Sequence, residues 1–440
     1  FFFKATATTE ISPLSLHAAL PIFTQDIVGW PTYMHDNTRS GQTREQLSLP
    51  LSRQWTYQSR YPPVPAWPLP AKQNFWRNQQ DLPARVAFDR AMQVVSDGRH
   101  VLFGSSADDR IICLDIVTGK QKWSYATEAP IRFAPSLHDG QAYVGSDDGH
   151  LYCLSVSDGR LVWRFRAGPR DHRIPGNGRM ISLWPIRSGV IINNGHARFA
   201  AGLFPNQGTY QYALDATTGK RLAEGKLTFS PQGYMQLQGN AIKISQGRAP
   251  ATVLATLEHA DKTHVGKVKG ISAEFPFAWI GTAGHLIGGG NGQVAAFTKT
   301  GQEVWRAEVT GRAYGLAFAD GKLLVSTDQG HIYCFGSTPP PVDQTVVIQP
   351  KEVVPSEAAV ETASFVKSQF QNQRGYCLVI GEIDPAVTSS WVDGASLRFV
   401  CRQETQAAVD ATRASLDAKD LATRAVVHQG GSVPLPYGSG

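Results

Sequence analysis

Two stretches of the chain, "DGRHVLFGSSADDRIICLDIVTGKQKW" (97–123) and "DGQAYVGSDDGHLYCLSVSDGRLVW" (139–163), match almost position for position. Looser copies follow: "YALDATTGKRLA" (212–223), "IGGGNGQVAAFTKTGQEVW" (287–305) and "DGKLLVSTDQGHIYCFGS" (320–337). The shared order is an Asp-Gly turn, an alternating strand, a Gly/Ser/Asp turn, a second alternating strand, a Thr-Gly-Lys-like turn and a short strand closing on Trp. Period-two alternation bounded by such turns is the hairpin signal, and its recurrence means stacked antiparallel units. Trp123 and Trp163 stand 40 residues apart. Ala223 and Trp305 stand 82 apart, two periods, so a diverged unit is expected between them around "GYMQLQGNAIKISQG" (233–247). The interval from Trp163 to Ala223 is one period plus an insertion. A four-stranded unit of this length suits radial closure, which removes the exposed sheet edges. The last unit lacks its closing strand, and "LSLPLSRQWTY" (47–57) supplies a spare one.

Charged residues make up only 18% of the 440, while Gly (42) and Pro (27) are abundant. That balance suits a turn-rich β protein and not a disordered one. The net charge of +6 is scattered through turns, which excludes a basic nucleic-acid-binding face. No run of about 18 apolar residues exists to span a membrane. Residues 1–23 resemble the translation of a sequencing adapter and are read as a non-native or disordered leader.

The pattern "YCLDxxTGKxxW" over residues 45–337 closely resembles the PQQ-like β-propeller repeat of quinoprotein dehydrogenases and of BamB-type outer-membrane assembly proteins. The resemblance implies a mainly β fold, a PQQ-like β-propeller of about six blades (six to eight) over 24–337. It implies that Trp123, Trp163 and Trp305 lock neighbouring blades, and an extracytoplasmic (periplasmic or cell-envelope) location. Cofactor-binding members stack a quinone on a further Trp in the central funnel beside a calcium held by acidic and amide groups. That set is not recognisable here, so PQQ with calcium is not assigned. The expected function is a non-catalytic binding or assembly scaffold, a monomeric propeller. The alternatives are a PQQ-dependent quinoprotein oxidoreductase of the alcohol or sugar dehydrogenase type, or an S-adenosylmethionine (SAM) methyltransferase carrying the propeller as a targeting module.

The repeat residues themselves read as scaffolding. Cys113, Cys153 and Cys334 hold equivalent places in different units and are expected as free buried thiols. The pairs Asp108 with Asp109 and Asp147 with Asp148 are expected as turn residues bonding their own backbone. No cysteine or carboxylate series has metal spacing, so no metal is expected. No nucleophile elbow or P-loop is present, so no catalytic residue is assigned. The insertion "AGPRDHRIPGNGRMISLWPIRSG" (167–189) breaks the repeat and carries Arg170, His172, Arg173, Arg179, Arg187 and Trp184. Those side chains are candidates to hold a protein or a small anionic or aromatic ligand at a propeller face. The competing reading is a cap whose arginines pair with nearby carboxylates. A second loop-rich stretch, 193–210, and a Pro-rich excursion, 61–76, complete the departures from the repeat.

Residues 338–368 read as a Pro-rich linker. In 369–440, "GYCLVIG", "LRFVC" and "TRAVVHQG" are short strands around an Ala-rich helical stretch (404–421), which suggests a parallel sheet of Rossmann type. The segment resembles the opening of a class I SAM-dependent methyltransferase. The resemblance places Gly381 at the cofactor turn and Gln403 at the ribose position, where the family carries an acid. A degenerate or truncated α/β segment is therefore expected, with SAM binding doubtful.

Overall fold

The computed structural model describes residues 29–66, 86, 88–176, 178–245, 271, 273–338, 344–347, 357–369, 374–393, 395–431 and 435–437. The leader 1–23 and residues 67–76 of the Pro-rich excursion lie outside the described residues.

Each repeat folds as an antiparallel sheet whose strands follow chain order. The first blade comprises Val95–Ser96, His100–Gly104, Arg110–Asp115 and Gln121–Ala126. The second comprises Ser136–His138, Gln141–Gly145, His150–Ser155 and Leu161–Arg166, and the third Ile191–Asn193, His196–Ala201, Thr209–Asp215 and Arg221–Leu227. The diverged unit is represented by the hairpin of Gln236–Gln238 with Ala241–Lys243. Ala278–Gly281, His285–Gly289, Asn291–Thr298 and the first half of Glu303–Ala319 make the next blade. The second half of that long strand passes into the closing blade with Lys322–Thr327 and His331–Gly336. Its fourth strand is Ser52–Gln58, antiparallel to His331–Gly336. The ring is thus sewn shut by the chain's own front strand, and the first strands of successive blades approach one another around the axis.

The repeat's fixed letters have fixed partners. Cys113 pairs across the sheet with Trp123, Cys153 with Trp163 and Cys334 with Trp55. Each Trp donates its indole N–H to the neighbouring blade: Trp55 to Ile116 O (3.0 Å), Trp123 to Val156 O (2.8 Å), Trp163 to Ala216 O (3.1 Å) and Trp305 to Leu51 O (2.9 Å). Such a bond is worth about 1 kcal/mol net, in addition to the apolar area the ring buries. The glycine of the Thr-Gly-Lys-like turn receives three of these rings: Gly119 that of Trp55, Gly159 that of Trp123 and Gly219 that of Trp163. Gly159 has φ +74, and a Cβ there would lie 2.5 Å from Trp123. Trp55, which heads no sequence repeat, is a fourth lock of the same kind.

The expected linker carries structure of its own. Gln344–Val347 adds a parallel strand outside Ser52–Gln58, and helix α1 spans Glu357–Gln369. Prolines flank both elements without interrupting either, so composition alone overstated the length of the linker. The C-terminal unit is a three-stranded parallel sheet in the order Gly375–Ile380, Leu397–Gln403, Ala425–Gln429. Helix α2 (Pro385–Val392) is capped by Asp384, whose carboxylate accepts from Ala386 N at 2.7 Å. Helix α3 (Gln406–Ala418) is capped by Thr405. Val379, Val392, Phe399, Val409 and Leu416 form its core.

Candidate functional site

Charged side chains from the segments leading into the blades converge on one buried cluster. The turn after Gln141–Gly145 sets Asp147 inward, 1% exposed. Arg132, on the connection into the second blade, donates Nε to Asp147 Oδ2 (2.6 Å) and an Nη to Asp89 Oδ2 (2.9 Å). Arg187, at the end of the insertion, donates Nε to Asp147 Oδ1 and an Nη to Oδ2, both at 2.7 Å. Burial pushes the Asp147 carboxyl up, but Arg132 and Arg187 pull harder, so it is held below the usual carboxylate range. Burial raises the Arg132 partner Asp89 instead, against the pull of Arg132. Two carboxylates and two guanidiniums form one buried chain of pairs that ends at Asp89, whose Oδ1 has no hydrogen-bond partner among the described residues.

Beside them the axis is filled by rings. Tyr33 stacks on Tyr234 (3.7 Å between centroids, 5° apart), and Phe133 and Phe88 meet Tyr234 edge-on at 4.9 and 5.2 Å. Arg39 lies over the Tyr234 ring and donates Nε to Met235 O at 2.8 Å. The segment carrying Tyr33 and Arg39 crosses the inner strands one after another. Trp30 bridges Ser96, Pro31 O accepts from Leu137 N, Asn37 Nδ2 donates to Ile192 O, Leu237 N donates to Asn37 O, and Gln42 bridges Gly281. Residues 29–43 therefore plug one end of the axis.

The insertion closes the other side. Arg173 pairs with Glu128 and Asp171, Arg179 with Asp109, and Arg187 with Asp147 as above. Trp184 is buried, donates to Gln207 O (3.3 Å) and packs on Gly168. These four side chains are spent inside the protein and present no open cleft. Arg170 is exposed and His172 half-buried. Guanidiniums lie inward because carboxylates already buried by the turns attract them in a low dielectric. The same pairing corrects the reading of the acidic turns. Asp109 and Asp147 are buried ion-pair acceptors, whereas Asp148 accepts from His150 N (2.8 Å) as a turn residue does, and also from Tyr152 Oη (2.7 Å).

Both carboxylates of this cluster, Asp89 and Asp147, are thus engaged by Arg132 and Arg187. Among the described residues no three or more His, Cys, Asp or Glu side chains gather to hold a metal. In the C-terminal unit Gly381 ends its strand at φ +102. Gln403 is fully buried, donates to Thr412 on α3 (3.3 Å) and leaves Oε1 unpartnered. Its side chain is buried in the unit's interior.

The C-terminal unit seats on the insertion side. Gln429 N donates to Glu128 Oε1 (3.0 Å), Arg173 N to Pro436 O (2.7 Å), and an Arg413 Nη to Thr127 O (3.1 Å). Arg110 pairs with Asp417, and Arg60 with Asp420. Sequence reasoning missed both the plug and this seat. For the buried ion pairs, the usable signal was Arg132, a charge inside the otherwise apolar stretch "APIRFAP" (129–135).

Comparison with known proteins adds the following. A profile of the family described as outer membrane protein assembly factor BamB matches residues 70–254 and 290–339. The alcohol dehydrogenase (quinone) dehydrogenase subunit of Gluconobacter oxydans is 29% identical over 135 residues, 27% of this chain and 17% of that protein. The quinoprotein alcohol dehydrogenase PedH of Pseudomonas putida is 29% identical over 175 residues, 37% of this chain and 27% of that protein. The chain thus spans under a third of the length of these relatives. Among solved structures, the quinohemoprotein alcohol dehydrogenase of Comamonas testosteroni has 15% identity and a TM-score of 0.34, covering 69% of this chain and 47% of its own. BamB of Moraxella catarrhalis has 12% identity and a TM-score of 0.24, covering 56% and 84%.

Proposed function

Because the chain belongs to the family described as outer membrane protein assembly factor BamB, we propose that it is a non-catalytic propeller serving as a binding or assembly scaffold in the cell envelope. The observation that supports this reading is the mutual engagement of these groups: Asp89, Arg132, Asp147 and Arg187 pair with one another, and the Tyr33, Phe88, Phe133 and Tyr234 rings pack together. Partner binding then falls to the exposed faces, with Arg170 and His172 among the groups on offer. A second reading, a quinoprotein oxidoreductase, is favoured by the quinone-dependent alcohol dehydrogenases among the relatives. It requires the axial groups to part for PQQ. Titration of the purified chain with PQQ and calcium decides between them. The scaffold reading expects no bound quinone absorbance and no alcohol-dependent dye reduction. Stoichiometric binding with alcohol oxidation would replace it with the second.

For the C-terminal unit we propose a degenerate methyltransferase-like segment acting as a packing module, supported by the inward position of Gln403. Calorimetry with SAM is expected to show no binding, and sub-millimolar affinity would overturn that assignment.

A further inference from the structure

We propose that the cleft between the outer strands of the first two blades and helix α3 binds a small organic anion with an apolar body, of the aromatic carboxylate class. The cleft measures about 600 Å³, within the range of small-molecule sites, and lies where two units meet, a common location for them. Three elements converge on it. Gln121–Ala126 contributes Tyr125, Leu161–Arg166 contributes Arg164, and α3 contributes Arg413.

The charge balance leaves cations free. Arg110 is paired with Asp417, and Glu128 with Arg173. Arg164 is exposed and has no hydrogen-bond or ion-pair partner among the described residues. Arg413 donates only to the carbonyls of Thr127 and Val427, at 3.1 and 2.8 Å, so its charge has no carboxylate partner there. Asp410, hydrogen-bonded by Gln406, is the remaining carboxylate, at the exposed rim. Tyr125, Arg164 and Arg413 all line the cleft; burial raises the Tyr125 phenol, and the two arginines oppose that rise. A carboxylate seated there accepts from planar guanidinium forks and from the phenol. Leu161, Val409 and Ala414 supply an apolar wall for the rest of the ligand.

Binding here is independent of the scaffold reading, because the cleft lies off the axis. The test is titration calorimetry of the full chain with benzoate, alongside inorganic phosphate and benzyl alcohol. Benzoate is expected to bind more tightly than either, since phosphate lacks the apolar body and the alcohol lacks the charge. Arg164→Ala is expected to weaken benzoate on the order of tenfold, as the loss of one charge-assisted contact does. Arg413→Lys, which keeps the charge but loses the fork, is expected to weaken it less. Absence of benzoate binding, equal affinity for phosphate or for benzyl alcohol, or an unchanged affinity in Arg164→Ala would each overturn the assignment. Arg164 holds nothing else in place, so its substitution reads the cleft and not the fold.

Discussion

Acidification is expected to loosen the seat of the C-terminal unit through His428. This residue is fully buried in Ala425–Gln429 against the propeller. Its Nε2 lies 3.1 Å from the Glu128 carbonyl oxygen and its Nδ1 3.0 Å from Tyr437 Oη. A carbonyl only accepts, so Nε2 carries the proton and Nδ1 accepts from the tyrosine. Burial disfavours the imidazolium and holds the pKa down at about 3; Arg173 and Arg413 add to this, and Glu128 opposes it. An unfolded histidine titrates near 6.5. Between those values the unfolded chain binds a proton that the native chain does not. Stability from this group is therefore fully present above pH 6.5 and is lost as pH falls toward 3. At about 1.4 kcal/mol per unit, lowering the pH to 4.5 removes roughly 2.7 kcal/mol. The assay is urea unfolding of the wild type and of His428→Asn at matched pH values from 7.5 to 4.5. Other groups titrate in both proteins and cancel, so the wild-type advantage should shrink by about that amount. A difference between the two that stays constant over the range would refute the reasoning.

Three further substitutions probe the propeller. Gly159→Ala places a Cβ 2.5 Å from Trp123 at φ +74 and is expected to cost about 2–4 kcal/mol, combining left-handed backbone strain with overpacking. Gly140→Ala, at φ +70 with nothing within 4 Å, should cost only about 1 kcal/mol; equal urea midpoints for the two variants would contradict the lock. Asp147→Ala leaves Arg132 and Arg187 buried with their shared carboxylate removed and is expected to destabilise by about 3–5 kcal/mol. A loss under 1 kcal/mol in thermal or urea melts would refute the pairing of Asp147 with both arginines.

The blades were legible because their information is local. Alternation, turn glycines and a closing Trp each act within a few residues, so each copy carries its own fold signal. Closure by Ser52–Gln58 was legible too, since the last repeat lacked a strand and the front of the chain had one to spare. The strands and α3 of the C-terminal unit followed from the change of period. Helix α2 was missed although Asp384 followed by Pro385 is a start signal, because the helix spans only 8 residues. The plug at 29–43 was missed for another reason: it has no period and makes its bonds to five different blades.

What the sequence by itself determined is the repeating unit, its turn chemistry and the order in which blades close. Only the tertiary structure decided what the charges do. Asp147 and Arg187 are 40 residues apart, and Glu128 and Gln429 are 301 apart. Within the second blade, Asp158 in one hairpin turn is a solvated acceptor and Asp147 in another is a buried ion-pair partner. The difference is desolvation. A carboxylate's worth depends on the dielectric around it and on which cation reaches it, and both are set by whatever the fold lays over the turn.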